Sequence, residues 1–157
     1  MFRTIVLALD GSESSDRAIP VAQDVAEGGG SIIVAHVREK VMARGGGDAR
    51  VDEDEIEERV RASAAKLNEA GVKTTVELGT SVAGGPAHAI AAIADRAHAD
   101  LIVAGTRGHG PVAGLLVGST AQRLLHLASC PVLIVPTPHA DAAGDVTSAA
   151  GSAGAAT

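Results

Sequence analysis

The sequence predicts a doubly wound α/β domain, with helices on both faces of a five-stranded parallel sheet. Four short apolar runs are continuous, as strands are when both faces of a sheet are covered, and a fifth segment alternates in polarity as an edge strand does. Segments of helix length separate these runs and carry apolar residues at helical spacing. The resulting β-α-β-α-β-α-β-α-β order favours parallel strands joined by crossover helices, which gives three layers.

Composition supports one domain and disfavours nucleic-acid binding. The chain has 157 residues, 46% of them hydrophobic, with one Phe and no Trp or Tyr. A core of small aliphatic side chains suits strands packed between helices, but it offers no aromatic platforms for stacking bases. The net charge of −6 also disfavours binding to a polyanion, so we expect no nucleic-acid partner.

The chain shows no sign of export or membrane insertion. No run approaches the ~20 apolar residues that a membrane span needs, and the short apolar run at the start ends at Asp10 instead of forming a signal peptide. Cys130 is the single cysteine, which excludes an internal disulfide and suits a reducing compartment. We expect a cytoplasmic protein without membrane contact, in which Cys130 is a small buried residue and not a redox site.

The first strand is predicted over residues 4–9, and the Asp10–Ser15 segment after it combines turn and N-cap chemistry. A helix follows to about Glu27. Pro20 cannot donate a hydrogen bond to the carbonyl of Asp16, so this helix either begins late or bends. The residues expected on its inner face are Ala18, Ala22, Val25 and Ala26.

The second strand is predicted over residues 31–37, followed by a mobile loop over 38–50 that lacks any period. A helix then opens at Val51, and its acidic start matches the positive end of the helix dipole. We interpret the acidic run as a solvated surface and not as a metal or partner site. The expected inner face of this helix is Ile56, Val60, Ala64 and Leu67.

The third strand, residues 72–78, alternates in polarity and suits a sheet edge. A loop over 79–85 precedes a helix that begins at Pro86, a favoured first-turn residue, and runs to about His98. Its expected inner face is Ile90, Ile93, Ala94 and Ala97.

The last elements are a buried strand over 101–104, a glycine-rich loop, a helix over 121–127 and a strand over 131–135. After Pro136 the composition becomes Ala, Gly, Ser, Thr and Asp without a period. The sequence therefore predicts one domain over residues 1–137 and a disordered tail over 138–157.

The segment from Gly105 to Thr120 carries the clearest functional signal. Its glycines follow a strand, and Gly118-Ser119-Thr120 stands where the last helix begins. Glycine lets backbone come close to a ligand, and a helix N-terminus offers N–H groups and a positive dipole end. This combination predicts an anion cradle that suits phosphate.

The spacing Gly105-x2-Gly108-x9-Gly118-Ser119 resembles the nucleotide-binding signature of the universal stress protein family. The resemblance covers residues 1–136 and implies the strand order 3-2-1-4-5. In that order the first and fourth strands are neighbours at a topological switch point, where open α/β sheets bind ligands. Asp10 and Gly105 would then meet at one crevice.

The resemblance implies ATP as ligand, with any Mg²⁺ carried by the phosphates, and a role as a nucleotide-dependent sensor or regulator in the stress response. It also implies a homodimer that pairs through residues 131–135, an apolar edge that would otherwise invite aggregation. Asp10 would contact the nucleoside part of ATP, Ala8 and Val37 would line the adenine slot, and the later residues would hold the phosphates. The implied binding residues are Ala8, Asp10, Val37, Ala104, Gly105, Arg107, Gly108, Gly118, Ser119 and Thr120.

Plainer interpretations stay open for several of these residues. Asp10 could only stabilise the turn, Ala8 and Val37 could be core residues, Ser119 could be only an N-cap, and Arg107 could point to solvent. The six histidines are scattered without the spacing of a metal site, although His109 could reach a phosphate.

Two other functions also stay open. The same site could serve a slow ATPase or phosphotransferase, although no nucleophile is paired with a base and the glycine loop has no lysine. Alternatively, the chain could be a nucleotide-free dimeric scaffold whose glycines only shape a loop. A receiver domain is disfavoured, because Asp10 has no acidic neighbour before it and the fifth strand is not followed by lysine.

Overall fold

The computed structural model describes residues 2–39, 49–81, 84–106 and 117–137, with the backbone alone at 49–52. The strands are β1 Thr4–Ala8, β2 Ser31–Glu39, β3 Lys73–Ser81, β4 Leu101–Gly105 and β5 Val132–Val135. The helices are α1 Glu13–Asp16, α2 Ala18–Ala26, α3 Ala49–Glu69, α4 Pro86–Arg96 and α5 Ser119–Leu127. All strand pairs are parallel, in the order β3-β2-β1-β4-β5, so the predicted fold class and strand order are confirmed.

Two apolar clusters lie on the two faces of the sheet. One contains α2 and α3 residues such as Ala22 and Leu67, and the other contains α4 and α5 residues such as Ile90 and Leu124. Leu124 is fully buried, which stabilises the fold by about 2 kcal/mol. The strands in the middle of the sheet are therefore covered on both sides, as their continuous apolar runs predict.

The helical segment after β1 is interrupted. α1 ends at Asp16, Arg17 stands between the two helices, and α2 begins at Ala18. Pro20 consequently lies in the first turn of α2, where its missing N–H would have no intrahelical acceptor. The helix thus begins late, which is one of the two outcomes that Pro20 predicts.

Several predicted boundaries are wrong. β2 and β3 pair as far as Glu39 and Ser81, so residues 79–81, predicted as loop, are strand. Backbone pairing with a neighbouring strand overrides the weak strand preference of glycine and the small polar residues there. Of the predicted loop over 38–50, residues 40–48 lie outside the described residues, and so does the predicted tail over 138–157.

None of the described helices combines the length and apolar character that crossing a membrane requires.

Candidate functional site

The carboxyl ends of β1 and β4 form one edge at the centre of the sheet. Ala8 pairs with Ala104 in the parallel register between these strands. The chain leaves β1 towards α1 and leaves β4 towards α5, while β2 and β5 flank the pair. Asp10 and Gly105 therefore lie at the same edge, at the switch point where parallel sheets bind ligands.

Asp10 stabilises the turn after β1. One carboxylate oxygen, Oδ1, accepts the backbone N–H of Ser12 at 2.9 Å and the Ser12 hydroxyl at 2.6 Å. The Asp10 N–H is donated to the Ser15 hydroxyl oxygen at 3.3 Å. The plainer role of Asp10 is thus present in the structure, and contact with a nucleoside stays a prediction.

Gly11 fixes where this turn lies. Its φ is +77°, and a Cβ added there would stand 2.9 Å from Cγ2 of Ile56 on α3. Glycine satisfies both requirements, because it adopts positive φ and has no Cβ. The Asp10 turn is therefore packed directly against α3.

Gly105 lies beneath α1. A Cβ at this position would stand 2.5 Å from the Ser14 carbonyl oxygen and 3.1 Å from the Ser15 Cα. The missing side chain lets α1 cross the end of β4. The structure thus gives Gly105 a packing role, in addition to the predicted approach to phosphate.

The N-terminus of α5 stands at the same edge. Gly118 is the N-cap, in extended conformation at φ −65° and ψ 158°, and its N–H donates to the carbonyl of Thr106. The first helical bond runs from Gln122 N–H to the Gly118 carbonyl at 2.9 Å. The N–H groups of Ser119, Thr120 and Ala121 therefore precede the first intrahelical donor, as at every helix start.

The interpretation of Ser119 as only an N-cap is wrong, because Ser119 is the first helical residue. The helix also begins two residues earlier than its apolar pattern predicts. Ser119 is exposed and Thr120 is half-buried, so both residues lie at the surface where the helix starts. Arg107, Gly108 and His109 lie outside the described residues.

Ala8, Val37 and Ala104 lie in one apolar cluster, on the sheet face covered by α4 and α5. Their exposed fractions are 9%, 8% and 5%. The structure thus brings them together as nearly buried residues, in agreement with the core interpretation of Ala8 and Val37. Lining of an adenine slot stays a prediction.

Sequence reasoning missed a hydroxyl cluster at this edge. The Thr106 Oγ1 accepts the Thr137 N–H at 3.0 Å, and the hydroxyls of Ser14 and Thr137 lie 2.7 Å apart. These contacts join α1, the end of β4 and the segment that follows β5. Thr106, inside the glycine signature, was the only sequence signal for this cluster, because Ser14 and Thr137 are distant from it in sequence.

Sequence reasoning also missed His36, which it grouped with the scattered histidines. The residue is only 4% exposed. Its Nδ1 lies 2.8 Å from the Leu9 carbonyl oxygen, and its Nε2 lies 2.7 Å from Oε1 of Glu53 on α3. His36 therefore connects the last residue before Asp10 with the α3 helix.

Within the described ranges, no group of three or more His, Cys, Asp or Glu side chains could hold a metal ion. The groups that suit a nucleotide are instead the N–H groups and hydroxyls at the start of α5, which are hydrogen-bond donors, and the Asp10 carboxylate, which is an acceptor. Donors on one side and an acceptor on the other suit a ligand with phosphates at one end and hydroxyls at the other.

The fold and this edge agree with the comparisons to known proteins. The model of the universal stress protein family matches residues 1–136. A universal stress protein of Thermus aquaticus, named for its place in the 3′ region of QAH/OAS sulfhydrylase, is 41% identical over 140 residues, which cover 86% of this chain and 99% of the relative.

Solved structures share the fold. Hypothetical protein MJ0577 superimposes with a TM-score of 0.75 at 20% identity, covering 89% of this chain and 99% of the other. A universal stress protein solved in complex with cAMP has a TM-score of 0.65 at 27% identity, covering 87% and 99% of the two chains. The parallel sheet, its central switch point and these matches lead to one conclusion: this chain belongs to the universal stress protein family.

Proposed function

We propose that this protein binds ATP at the β1/β4 edge and acts as a nucleotide-dependent sensor or regulator in the stress response, with little or no hydrolysis. The observation that carries the proposal is the meeting of the Asp10 turn, the end of β4 and the start of α5 at one switch point. A relative that binds an adenine nucleotide, the cAMP complex, supports the same ligand class.

The phosphates would bind at the start of α5. Oriented N–H groups and the helix dipole attract anions, and Ser119 and Thr120 add hydroxyl donors. Gly118 is held in place by its bond to the Thr106 carbonyl. Arg107 and Gly108 enter this part of the proposal from the sequence alone, and Mg²⁺ would arrive on the phosphates.

The nucleoside would bind closer to β1 and β2. Asp10 accepts hydrogen bonds, so its carboxylate suits the ribose hydroxyls. Ala8, Val37 and Ala104 supply small apolar groups beneath the adenine position, with Val37 contributing mainly backbone. Gly105 would contribute through its backbone at the end of β4.

Binding without turnover follows from what the chain lacks. Phosphoryl transfer needs concentrated positive charge and a positioned nucleophile. The segment from Gly105 to Thr120 contains one arginine and no lysine. An ATPase or phosphotransferase is the second candidate, and a turnover rate that Gly118→Val abolishes would favour it.

The first experiment is a spectrum of the protein after gel filtration. Because the chain has no Trp or Tyr, a retained adenine nucleotide would dominate its ultraviolet absorbance. If the protein emerges without nucleotide, equilibrium titration with ATP follows. Absence of binding at millimolar ATP would remove the proposal and leave the nucleotide-free scaffold.

Asp10→Ala tests which part of the ligand Asp10 contacts. We expect the substitution to weaken ATP binding more than the binding of inorganic triphosphate, since triphosphate has no nucleoside. Asp24→Ala, at an exposed position on α2, is the matched control. Equal losses for the two ligands would show that Asp10 does not contact the nucleoside.

Ser119→Ala tests the phosphate end. Loss of a hydroxyl donor should weaken ATP and triphosphate alike, by about three- to tenfold for one hydrogen bond. Ser129→Ala, beyond the other end of α5, should leave both affinities unchanged. Equal affinities for wild type and Ser119→Ala would place the phosphates elsewhere.

A further inference from the structure

His36 is the only ionisable side chain among the fully buried residues that the structure describes; the other buried polar residues are serines and threonines. Burying a polar ring costs free energy unless its nitrogens are hydrogen-bonded, so buried histidines have paired ring nitrogens. Here both nitrogens are paired, one with the Leu9 carbonyl at 2.8 Å and one with Glu53 at 2.7 Å.

The two partners determine how many protons the pair must hold. A carbonyl oxygen only accepts, so Nδ1 of His36 carries a proton. On the other side, a neutral Nε2 and an ionised Glu53 would both be acceptors. A contact of 2.7 Å between them therefore requires one further proton, carried either by the ring or by the carboxyl group.

The charged surroundings give Glu53 a second partner when that proton leaves. Arg38, on the same strand as His36, has its Nε 3.6 Å from the same Glu53 oxygen. Its Nη2 lies 2.8 Å from Glu57 and 3.4 Å from Asp54, both on α3. The charged residue that follows Leu9 in the chain is Asp10, and the β3 partner of His36 is the uncharged Leu78.

The His36–Glu53 pair also contacts the backbone of Leu9, which leads into the Asp10 turn. Leu9 donates its N–H to the Ala35 carbonyl at 2.9 Å and accepts from His36, and Asp10 is the next residue. On α3, Ile56 lies one turn after Glu53 and packs against Gly11. The position of the Asp10 turn is thus fixed by α3 through two contacts, one apolar and one that needs a proton.

We infer that His36 and Glu53 form a proton-dependent clasp that positions the Asp10 turn, so that proton binding at this pair and nucleotide binding favour each other. His36 is a positioning residue and does not touch the ligand. The clasp stands on the geometry alone, whereas its effect on the nucleotide rests on the proposed function. By linkage, the clasp tightens nucleotide binding at low pH as much as the nucleotide favours proton uptake.

The clasp is tested first without nucleotide, by urea unfolding between about pH 5.5 and pH 8.5, where histidine ordinarily changes charge. If the folded pair holds one proton more than the unfolded chain, wild type loses stability as the pH rises. A one-proton linkage changes the unfolding equilibrium by at most about tenfold per pH unit. The matching signature is a change in the Nε2 chemical shift of His36 over the same range.

Glu53→Gln and Glu57→Gln form the matched pair of variants. The amide that Glu53→Gln introduces can donate to a neutral His36 without any further proton, so this variant should flatten the pH response. Glu57 pairs with Arg38 and not with His36, so Glu57→Gln should keep the response of wild type. An unchanged response in Glu53→Gln, or an Nε2 shift that stays constant, would overturn the clasp.

Titration with ATP at both ends of the pH range tests the coupling. We expect the ratio of affinities at low and high pH to be several-fold larger for wild type than for Glu53→Gln; protons bound by ATP itself cancel in this comparison. Equal affinity ratios for wild type and Glu53→Gln would overturn the coupling between the clasp and the nucleotide. The urea unfolding result would still decide whether the clasp itself exists. No ATP binding at any pH would overturn the coupling together with the proposed function.

Discussion

At the scale of single residues, Gly105 has no room for a side chain because the backbone of α1 lies against it. Gly105 faces the carbonyl of Ser14, with 2.5 Å between that oxygen and an added Cβ. A helix backbone cannot yield as a flexible side chain can. Sequence reasoning assigned this glycine to the ligand, because a contact between residues 14 and 105 depends on the tertiary fold.

Gly105→Ala should therefore destabilise the protein by about 1–3 kcal/mol, the usual cost of overpacking. Gly79→Ala is the control, since an added Cβ there would stand an ordinary 3.4 Å from a Val37 side-chain atom. Urea unfolding measures both variants. Equal stability of the two would show that α1 moves away at little cost.

Cys130 provides a second test at this scale. Cys130 is half-buried, so the expected full burial is wrong. Its partial burial still raises the pKa of its thiol, and the Asp95 carboxylate raises it further. The reactive thiolate is therefore scarcer at neutral pH than in an ordinary thiol. We expect iodoacetamide to modify Cys130 more slowly than glutathione, and Asp95→Asn to narrow the difference. Modification as fast as that of glutathione would instead support a redox role.

At the scale of elements, a carboxylate joins the starts of β1 and β4. Asp100 Oδ2 accepts the N–H groups of Arg3 at 2.8 Å and Thr4 at 2.9 Å. The Asp100 N–H in turn donates to the Thr4 carbonyl at 2.8 Å. These bonds continue the β1/β4 pairing at the amino-terminal ends of both strands, before the first paired residues Ile5 and Leu101. That edge of the sheet lies opposite the candidate site.

The backbone N–H groups of Thr4 and Arg3 lower the pKa of Asp100 from its ordinary value of 3.8. The carboxylate thus stays ionised in the folded chain at a pH where the unfolded chain is protonated. Its stabilisation is complete above the unfolded value and is lost as the pH falls through the lower folded value.

Asp100→Asn should lower the stability at neutral pH and weaken the dependence of unfolding on acid below about pH 4. Denaturant titrations across the acid range measure both effects. Asp24→Asn, at an exposed position, should follow wild type. An acid response of Asp100→Asn as steep as that of wild type would mean that other carboxylates cause it.

At the scale of the whole molecule, the two edges of the sheet differ in chemistry. β3 carries exposed polar residues, among them Lys73, Thr75 and Thr80. β5 is Val132-Leu-Ile-Val135, without a polar residue, and Leu133 is 37% exposed. Charged residues protect a free edge from pairing, so β3 is protected and β5 is the edge that suits a second copy of the chain.

We therefore expect a homodimer through β5 and predict that Leu133→Lys dissociates it. The matched control is Leu125→Lys, because Leu125 is 54% exposed on α5 and lies off the edge. Sedimentation velocity over a concentration series measures the masses. A monomeric wild type, or a dimer that only Leu125→Lys disrupts, would contradict pairing through β5.

The sequence alone predicted the layers, because these depend on local patterns. That Asp10 and Gly105 meet at one edge could be predicted only with the strand order. Continuous apolar runs, the N-cap region at Gly118 and the turn at Asp10 are encoded within a few residues. The resemblance supplied the strand order. The contacts that the sequence did not predict, those of Gly105 with α1 and of His36 with Glu53, join segments that only the folded sheet brings together.

The bond between the Gly118 N–H and the Thr106 carbonyl has a consequence for how this fold can vary. It ties together the two ends of the segment 107–116, so the strand end and the helix start keep their spacing whatever lies between them. In general, doubling the number of residues between two joined points of a chain costs only about 0.6 kcal/mol more in closure entropy. Related chains can therefore differ in the length of this one segment without moving the end of β4 or the start of α5.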